Sequence, residues 1–230
     1  MERIAEPELM EKKEQVISYD EADFLEGEVN FINQINHYLL KKNIFLNEKD
    51  LIVDLGCGPG NISKKLAIKW PNTEVVGIDG SQEMILRAKH NKKVSINQRN
   101  LKNLRYICAD IKDIKKKFLI KKEVSLLVSN SLIHHITHLE DFFNTIRSLS
   151  NKMTINFHKD LKRPLDEKSA LELKAKCSTK YNEILTNDYY ASLRASYTFK
   201  ELKDYTLEND LSSLEVFEDG DKYLMVYGNV

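Results

Sequence analysis

LIVDLGCGPG, residues 51–60, is the stretch from which the fold of this chain can be read. A mostly apolar run leads into glycines at 56, 58 and 60, the pattern of a buried strand ending in a tight loop, with a helix starting near Asn61. Glycine adopts positive φ and has no Cβ, so at Gly56, Gly58 and Gly60 a ligand can lie against the main chain. The helix behind the loop turns its free N–H groups toward that ligand. The spacing is G-x-G-x-G, whereas a dinucleotide-binding loop reads G-x-G-x-x-G, and Asn61 stands where its third glycine would be. Asp54, two places before Gly56, is an acidic residue inside the strand.

Downstream, a second strand is expected over 74–78. Asp79 follows it, 19 residues beyond Gly60, where a carboxylate can accept hydrogen bonds from both hydroxyls of a ribose. Gly80 and Ser81 come next, then a helix over 82–91 that carries Met84. A third strand over 104–108 ends in Ala109-Asp110-Ile111, where Asp110 reads either as a ligand contact or as a helix N-cap. A fourth strand over 124–129 leads into Asn130-Ser131-Leu132-Ile133-His134-His135-Ile136-Thr137-His138. His134 and His138 stand at i and i+4, a spacing that can share a metal on a helix. The chain has no H-E-x-x-H and no further His or Cys cluster, so no metal site is expected.

A helix over 139–150 should turn Phe142, Phe143, Ile146 and Leu149 inward. A fifth strand over 153–157 precedes His158-Lys159-Asp160-Leu161-Lys162-Arg163-Pro164, which should adjoin a pocket. Beyond Pro164 a helix is expected through about 185, then a capping box at Thr198–Glu201. Alternating segments over 214–217 and 223–227 flank Glu218-Asp219-Gly220-Asp221, a hairpin signal. Before the first strand, Pro7-Glu8-Leu9-Met10 reads as a short helix start. Val29, Ile32, Ile35, Leu39 and Leu40 recur at helical spacing and should pack on the sheet. Residues 18–24 read either as an amphipathic surface helix or as a lid that closes Tyr19 and Phe24 over a site.

The 230 residues are 42% hydrophobic, which suits one α/β domain with a decorated edge. Lys plus Arg and Asp plus Glu are 35 each; this balance counts against a long nucleic acid as partner. The basic run Lys112, Lys115, Lys116, Lys117, Lys121 and Lys122 precedes a strand, away from the ends where open α/β sheets bind ligands, and reads as a solvated face. The three cysteines lack C-x-x-C spacing, and the charged N-terminus has no apolar signal core. A cytoplasmic protein with no membrane segment is expected.

D-L-G-C-G-P-G, covering Asp54, Gly56, Cys57, Gly58 and Gly60, resembles motif I of the class I S-adenosylmethionine-dependent methyltransferases. S-N-S-L-I-H-H-I, from Ser129, is similar to the segment after the fourth strand of small-molecule members, and an antiparallel hairpin closing the sheet is those enzymes' edge arrangement. E-P-E-L-M, Gln15–Tyr19, A-D-F, Y-Y-x-S-L-R and K-Y-L-M-V-Y-G resemble a bacterial group within the class. The resemblance implies a Rossmann-like, seven-stranded, mostly parallel sheet with helices on both faces over 46–230, behind an N-terminal helical lid over 1–45. It also implies S-adenosylmethionine as cofactor, with S-adenosylhomocysteine as product. Met84 would then face the adenine, Asp110 would meet its amino group and the Ile111 N–H a ring nitrogen, with Asn130, Ser131 and His135 bordering the cofactor.

A sulfonium already makes its methyl group electrophilic, so the protein must chiefly orient an acceptor, exclude water and, for some acceptors, remove a proton. His134 and His135 are the candidate bases. The chain lacks both the N/D-P-P-Y/F segment and the Pro-Cys setting of two nucleic-acid methylation chemistries. Tyr19, Phe24, Asp160, Arg163, Tyr189, Tyr190 and Arg194 could overhang the strand ends and hold a small acceptor, an anionic one among them. RNA methylation at other positions and non-catalytic nucleoside binding stay open as alternatives.

Overall fold

The computed structural model describes residues 1–7, 9–96, 101–114 and 122–230. Glu8 and Lys115, Lys116, Lys117 and Lys121 of the basic run lie outside the described residues. Helices α1 (Lys13–Asp20) and α2 (Leu25–Lys41) come first. Then β1 (Leu51–Leu55), α3 (Asn61–Lys69), β2 (Glu74–Asp79), α4 (Gln82–Ile96), β3 (Leu104–Cys108), β4 (Leu126–Asn130), α5 (Leu139–Leu149) and β5 (Ile155–Leu161) alternate. The chain closes with α6 (Glu167–Ser178), α7 (Glu183–Ala195), α8 (Phe199–Glu208), β6 (Leu214–Asp219) and β7 (Tyr223–Gly228).

The sheet order is β3-β2-β1-β4-β5-β7-β6. β1 to β5 are parallel, and β7 runs antiparallel to both β5 and β6. This is the expected Rossmann-like architecture with its terminal hairpin. Successive strand residues face opposite sides, so Leu51, Val53 and Leu55 join Phe142, Phe143, Ile146 and Leu202 in one core. Ile52 joins Phe31, Ile35, Leu39, Leu66 and Ile85 in the other. All of β1 is buried. Its strand order reverses between β1 and β4, and a parallel sheet opens a ligand crevice at the carboxyl ends beside such a reversal.

Several boundaries differ from expectation, each for a tertiary reason. β5 runs on through His158, Lys159 and Asp160 to Leu161, because these residues pair with Val226, Met225, Leu224 and Tyr223 of β7; their polarity hid the strand. β4 lies at Leu126–Asn130, and α4 continues to Ile96. The expected helix through 185 is two helices, broken where the Asn182 side chain caps α7 at Leu185 N. Pro7, Leu9 and Met10 form no helix; they are tied to other parts of the chain, with Met10 O accepting from Ser81 Oγ at 2.7 Å. On α2, Ile32, Ile35 and Leu39 are buried with Phe31, while Val29 and Leu40 are exposed. The stripe is therefore rotated from the one read in the sequence. The Thr198–Glu201 capping box is present.

Candidate active site

The glycine loop is built for close approach. Gly56, Gly58 and Gly60 have φ of 64°, 51° and 86°. A Cβ at Gly60 would lie 2.2 Å from the Tyr106 hydroxyl, and one at Gly56 would lie 2.6 Å from Leu132 Cδ1. At Gly58 the nearest atom would be Met84 sulfur at 4.0 Å, which leaves that side open. Gly60 caps α3, so the first N–H groups of α3 lie directly behind the loop.

Asp79 fastens this loop to the end of β2. Its Oδ2 accepts from Gly58 N and its Oδ1 from Ser81 N, each at 2.8 Å. A carboxylate has about four acceptor sites, so each oxygen retains capacity for a ribose hydroxyl. Burial raises the Asp79 carboxyl from its ordinary value, against the lowering effect of the Ser81 and Gly58 N–H groups. Ser81 Oγ accepts from Met84 N at 3.2 Å, and Met84 is buried. Asp54 accepts from Ser63 Oγ at 2.5 Å, and burial pushes its carboxyl up to about 7. The cofactor role expected of Asp54 would be indirect, through the loop that follows it. Cys57 is buried and its N–H bonds Ile78 O at 3.0 Å. Asp110 caps the turn Ile111–Asp113, Oδ1 accepting from Lys112 N at 2.8 Å.

Across the crevice, Ser131 at the end of β4 has φ 58° and its N–H bonds Lys159 O at 2.9 Å. Asn130 Nδ2 reaches Ser131 Oγ at 3.5 Å. The turn Ile133–His135 follows. Asp160, buried in β5, accepts from Ile133 N at 2.5 Å, Leu161 N at 2.7 Å and His134 Nδ1 at 2.5 Å. These bonds engage both carboxylate oxygens, so Asp160 orients His134 instead of reaching outward. Burial alone would lower the His134 imidazole, but Asp160 and Glu6 raise it overall. Burial and the charge of His134 push His135 down to about 3. His138 instead stands at the N-cap of α5.

Residues 1–7, 9 and 10 form a strap over these strand ends. Met1 N reaches Leu165 O at 2.5 Å, and Ile4 N reaches Arg194 O at 3.0 Å. Arg3 donates to Ala195 O at 2.6 Å and Ile136 O at 2.9 Å, with His134 O and Thr137 O each at 3.3 Å. Glu6 meets both histidines, and Leu9 Cδ2 lies 2.6 Å from where a Gly80 Cβ would be. A Gly80 Cβ would also stand 3.7 Å from Asp110 Cα, so Leu9 covers the end of β2 beside the Asp110 turn.

An aromatic wall continues the roof. Tyr19 and Phe24 have ring centroids 5.1 Å apart, and Phe24 and Tyr181 5.6 Å. Burial raises the Tyr19 phenol, and Glu28, Asp79 and Asp160 add to the effect. Tyr189 is pushed up to about 12 by burial, with Tyr223 contributing. Lys159 pairs with Asp219 at 2.6 Å and lies 4.5 Å over Tyr223. Arg163 is taken up by Glu201 at 2.6 Å and Ser196 O at 3.3 Å, an anchor for α8. Tyr190 bonds Glu167, and the Arg194 guanidinium stacks 5.5 Å from the Tyr190 ring with its Nε buried and unpartnered. The sequence assigned no site role to Arg3, Glu6, Leu9, Tyr181 or Tyr223. They come from the chain's two ends and the α6–α7 connection, so no local spacing signals their meeting.

A family model described as a methyltransferase domain matches residues 46–202. A trans-aconitate 2-methyltransferase from Azoarcus sp. (strain BH72) is 48% identical over 44 residues, 19% of this chain and 17% of that protein. One from Mycobacterium tuberculosis (strain ATCC 25177 / H37Ra) is 28% identical over 104 residues, 45% of this chain and 34% of that protein. These matches thus span about a third or less of the curated relatives. The crystal structure of the plantazolicin methyltransferase BpumL, in complex with a pentazolic desmethylPZN analog and SAH, superposes with a TM-score of 0.67 at 16% identity. That alignment covers 95% of this chain and 91% of the other. With the model matching 46–202 of its 230 residues, the chain belongs to the methyltransferase-domain family, on the class I fold.

Proposed function

We infer that the protein is an S-adenosylmethionine-dependent methyltransferase that passes the methyl group in line to a small-molecule acceptor. The observation that carries this reading is Asp79, whose two oxygens pin Gly58 N and Ser81 N beside the one loop glycine with open space over it. Asp79 would hold the ribose of the cofactor and Gly58 its close approach, with Met84 and the Asp110–Ile111 turn on the adenine side and the ends of β1 and β4 on the methionine side. Bound there, the cofactor supplies an activated methyl group. The chain's residues orient the acceptor, and orientation can be worth about 7–11 kcal/mol in favourable intramolecular cases. The half-buried aromatic cluster of Tyr19, Phe24 and Tyr181 would limit the access of water.

The acceptor side suits a small carboxylate. The unpartnered Arg194 Nε offers a charge-assisted donor, and the curated relatives are trans-aconitate 2-methyltransferases. A carboxylate attacks as the anion and needs no base.

Calorimetric titration with S-adenosylmethionine, S-adenosylhomocysteine and NAD tests the cofactor. Micromolar binding of the adenosyl ligands is expected, weakened roughly 100–10,000-fold in Asp79→Ala by loss of two hydrogen bonds to a charged group. Binding of NAD alone, or of none of them, overturns the reading. With cofactor bound, methyl transfer to small polycarboxylates is then expected in the wild type and lost in Arg194→Glu; unchanged turnover in that variant removes the anionic acceptor.

A further inference from the structure

Of the neighbouring histidines His134, His135 and His138, the fold sets the third apart and brings to the other two Glu6, 128 positions before His134. Glu6 Oε1 lies 3.6 Å from His134 Nε2 and 3.4 Å from His135 Nδ1. One ligand atom from each residue falls within 4.8 Å of the others. Two ligands about 2.1 Å from a tetrahedral ion stand about 3.4 Å apart, so the spacing is that of a cluster closing on one cation.

Three further observations separate this cluster from an ordinary ion pair. Glu6 Oε1 and His135 Nδ1 are buried with no hydrogen-bond partner, although unpaired buried polar atoms are costly. Asp160 takes His134 Nδ1, which leaves Nε2 as the nitrogen facing Glu6; a carboxylate holding the far nitrogen is how metal-binding histidines are commonly oriented. His135 bonds the Pro7 main chain through its ring, so its free nitrogen is the one turned to Glu6.

We propose that Glu6, His134 and His135 form a binding site for one divalent first-row transition-metal ion, with Asp160 as the positioning residue behind His134. Two imidazoles and a carboxylate suit zinc, cobalt, nickel or ferrous iron and match magnesium or calcium poorly. Three protein ligands leave at least one coordination position, which water or an oxygen of the acceptor can fill. Glu6 belongs to the strap and the histidines to the β4–α5 connection, so the ion fastens the roof over the site.

The test uses the tag-free full chain, stripped with chelator and titrated with Zn²⁺ by calorimetry and with Co²⁺ by visible absorption. One equivalent of Zn²⁺ should bind with micromolar or tighter affinity, and Co²⁺ should give the d–d bands of a low-symmetry nitrogen–oxygen site. Asp160→Asn should weaken binding about 10–100-fold, and Glu6→Gln and His135→Ala by about 100-fold or more, with circular dichroism confirming that each variant is folded. Zn²⁺ should also protect residues 1–12 from protease in the wild type and not in Glu6→Gln. Absence of micromolar binding overturns the site, as does binding that persists in folded Glu6→Gln or moves only with Cys57, Cys108 or Cys177. None of these readouts involves methyl transfer, so failure here leaves the proposed function standing, and failure there leaves this site.

Discussion

Gly58 and Gly60 are two residues apart, share positive φ and answer different constraints. A Cβ at Gly58 meets only Met84 sulfur at 4.0 Å, whereas at Gly60 it meets the Tyr106 hydroxyl at 2.2 Å. Gly58→Ala should therefore cost about 1–2 kcal/mol, the left-handed backbone penalty, yet abolish micromolar cofactor binding by filling the space a ligand needs. Gly60→Ala adds the steric conflict and should cost roughly 2–5 kcal/mol. Urea melts combined with calorimetry check the pair, and equal losses of stability would contradict it. His158 offers a second test at this scale. It is fully buried against Ser129 Oγ at 2.9 Å, with Phe142 edge-on at 5.1 Å, and burial lowers it to about 3. A depressed histidine binds its proton in the unfolded chain first, so its contribution is full above about pH 6.5 and is lost as pH falls toward 3. His135 acts in the same direction and Asp54, raised to about 7, opposes them. The informative quantity is therefore a difference: between pH 6 and 4 the stability of His158→Gln should fall less steeply than that of the parent, by about 1.4 kcal/mol per pH unit. Parallel slopes would show that His158 is protonated in the fold.

Among the elements, the strap has the least support of its own. It has no regular hydrogen-bond ladder and is held by side chains and by anchors such as Arg3, which donates to four carbonyls and stacks 4.0 Å over Tyr197. Bonds from a charged donor contribute about 1.5–3 kcal/mol. Arg3→Ala should thus raise the protease cleavage rate of residues 1–12 about 10–100-fold while the sheet melts as before. Unchanged cleavage would mean that Glu6, Leu9 and Met10 suffice. The strap also shows why a local helix signal failed. Pro7 and the charged residues around it favour a helix start in isolation, but Ser81, His135 and Gly80 engage the chain at Met10, Pro7 and Leu9, and the tertiary bonds prevail. β5 is the mirror case, since His158, Lys159 and Asp160 carry no strand signal and β7 makes them a strand.

For the whole molecule, α2 packs its buried face into the core on one side of the sheet. Phe31 and Ile35 are fully buried, and the Phe31 ring lies 5.9 Å from Phe157 of β5. Phe31→Ala should cost about 3–5 kcal/mol and lower one cooperative transition for the entire chain. A separate early transition, or a loss below about 1 kcal/mol, would mean that residues 1–45 fold on their own.

The sequence by itself determined the parallel core, the glycine loop, Asp79 at the end of β2, the capping box of α8 and the closing hairpin. Each of these rests on neighbours within one element or one turn, where periodicity, capping and φ preferences act directly. Tertiary structure alone decided that β5 continues to Leu161, that Asp160 serves His134, and that Glu6 crosses the molecule to face two histidines. Those arrangements depend on pairs separated by 26 residues or more, and no local rule reports which distant side chain the folded sheet will bring within reach.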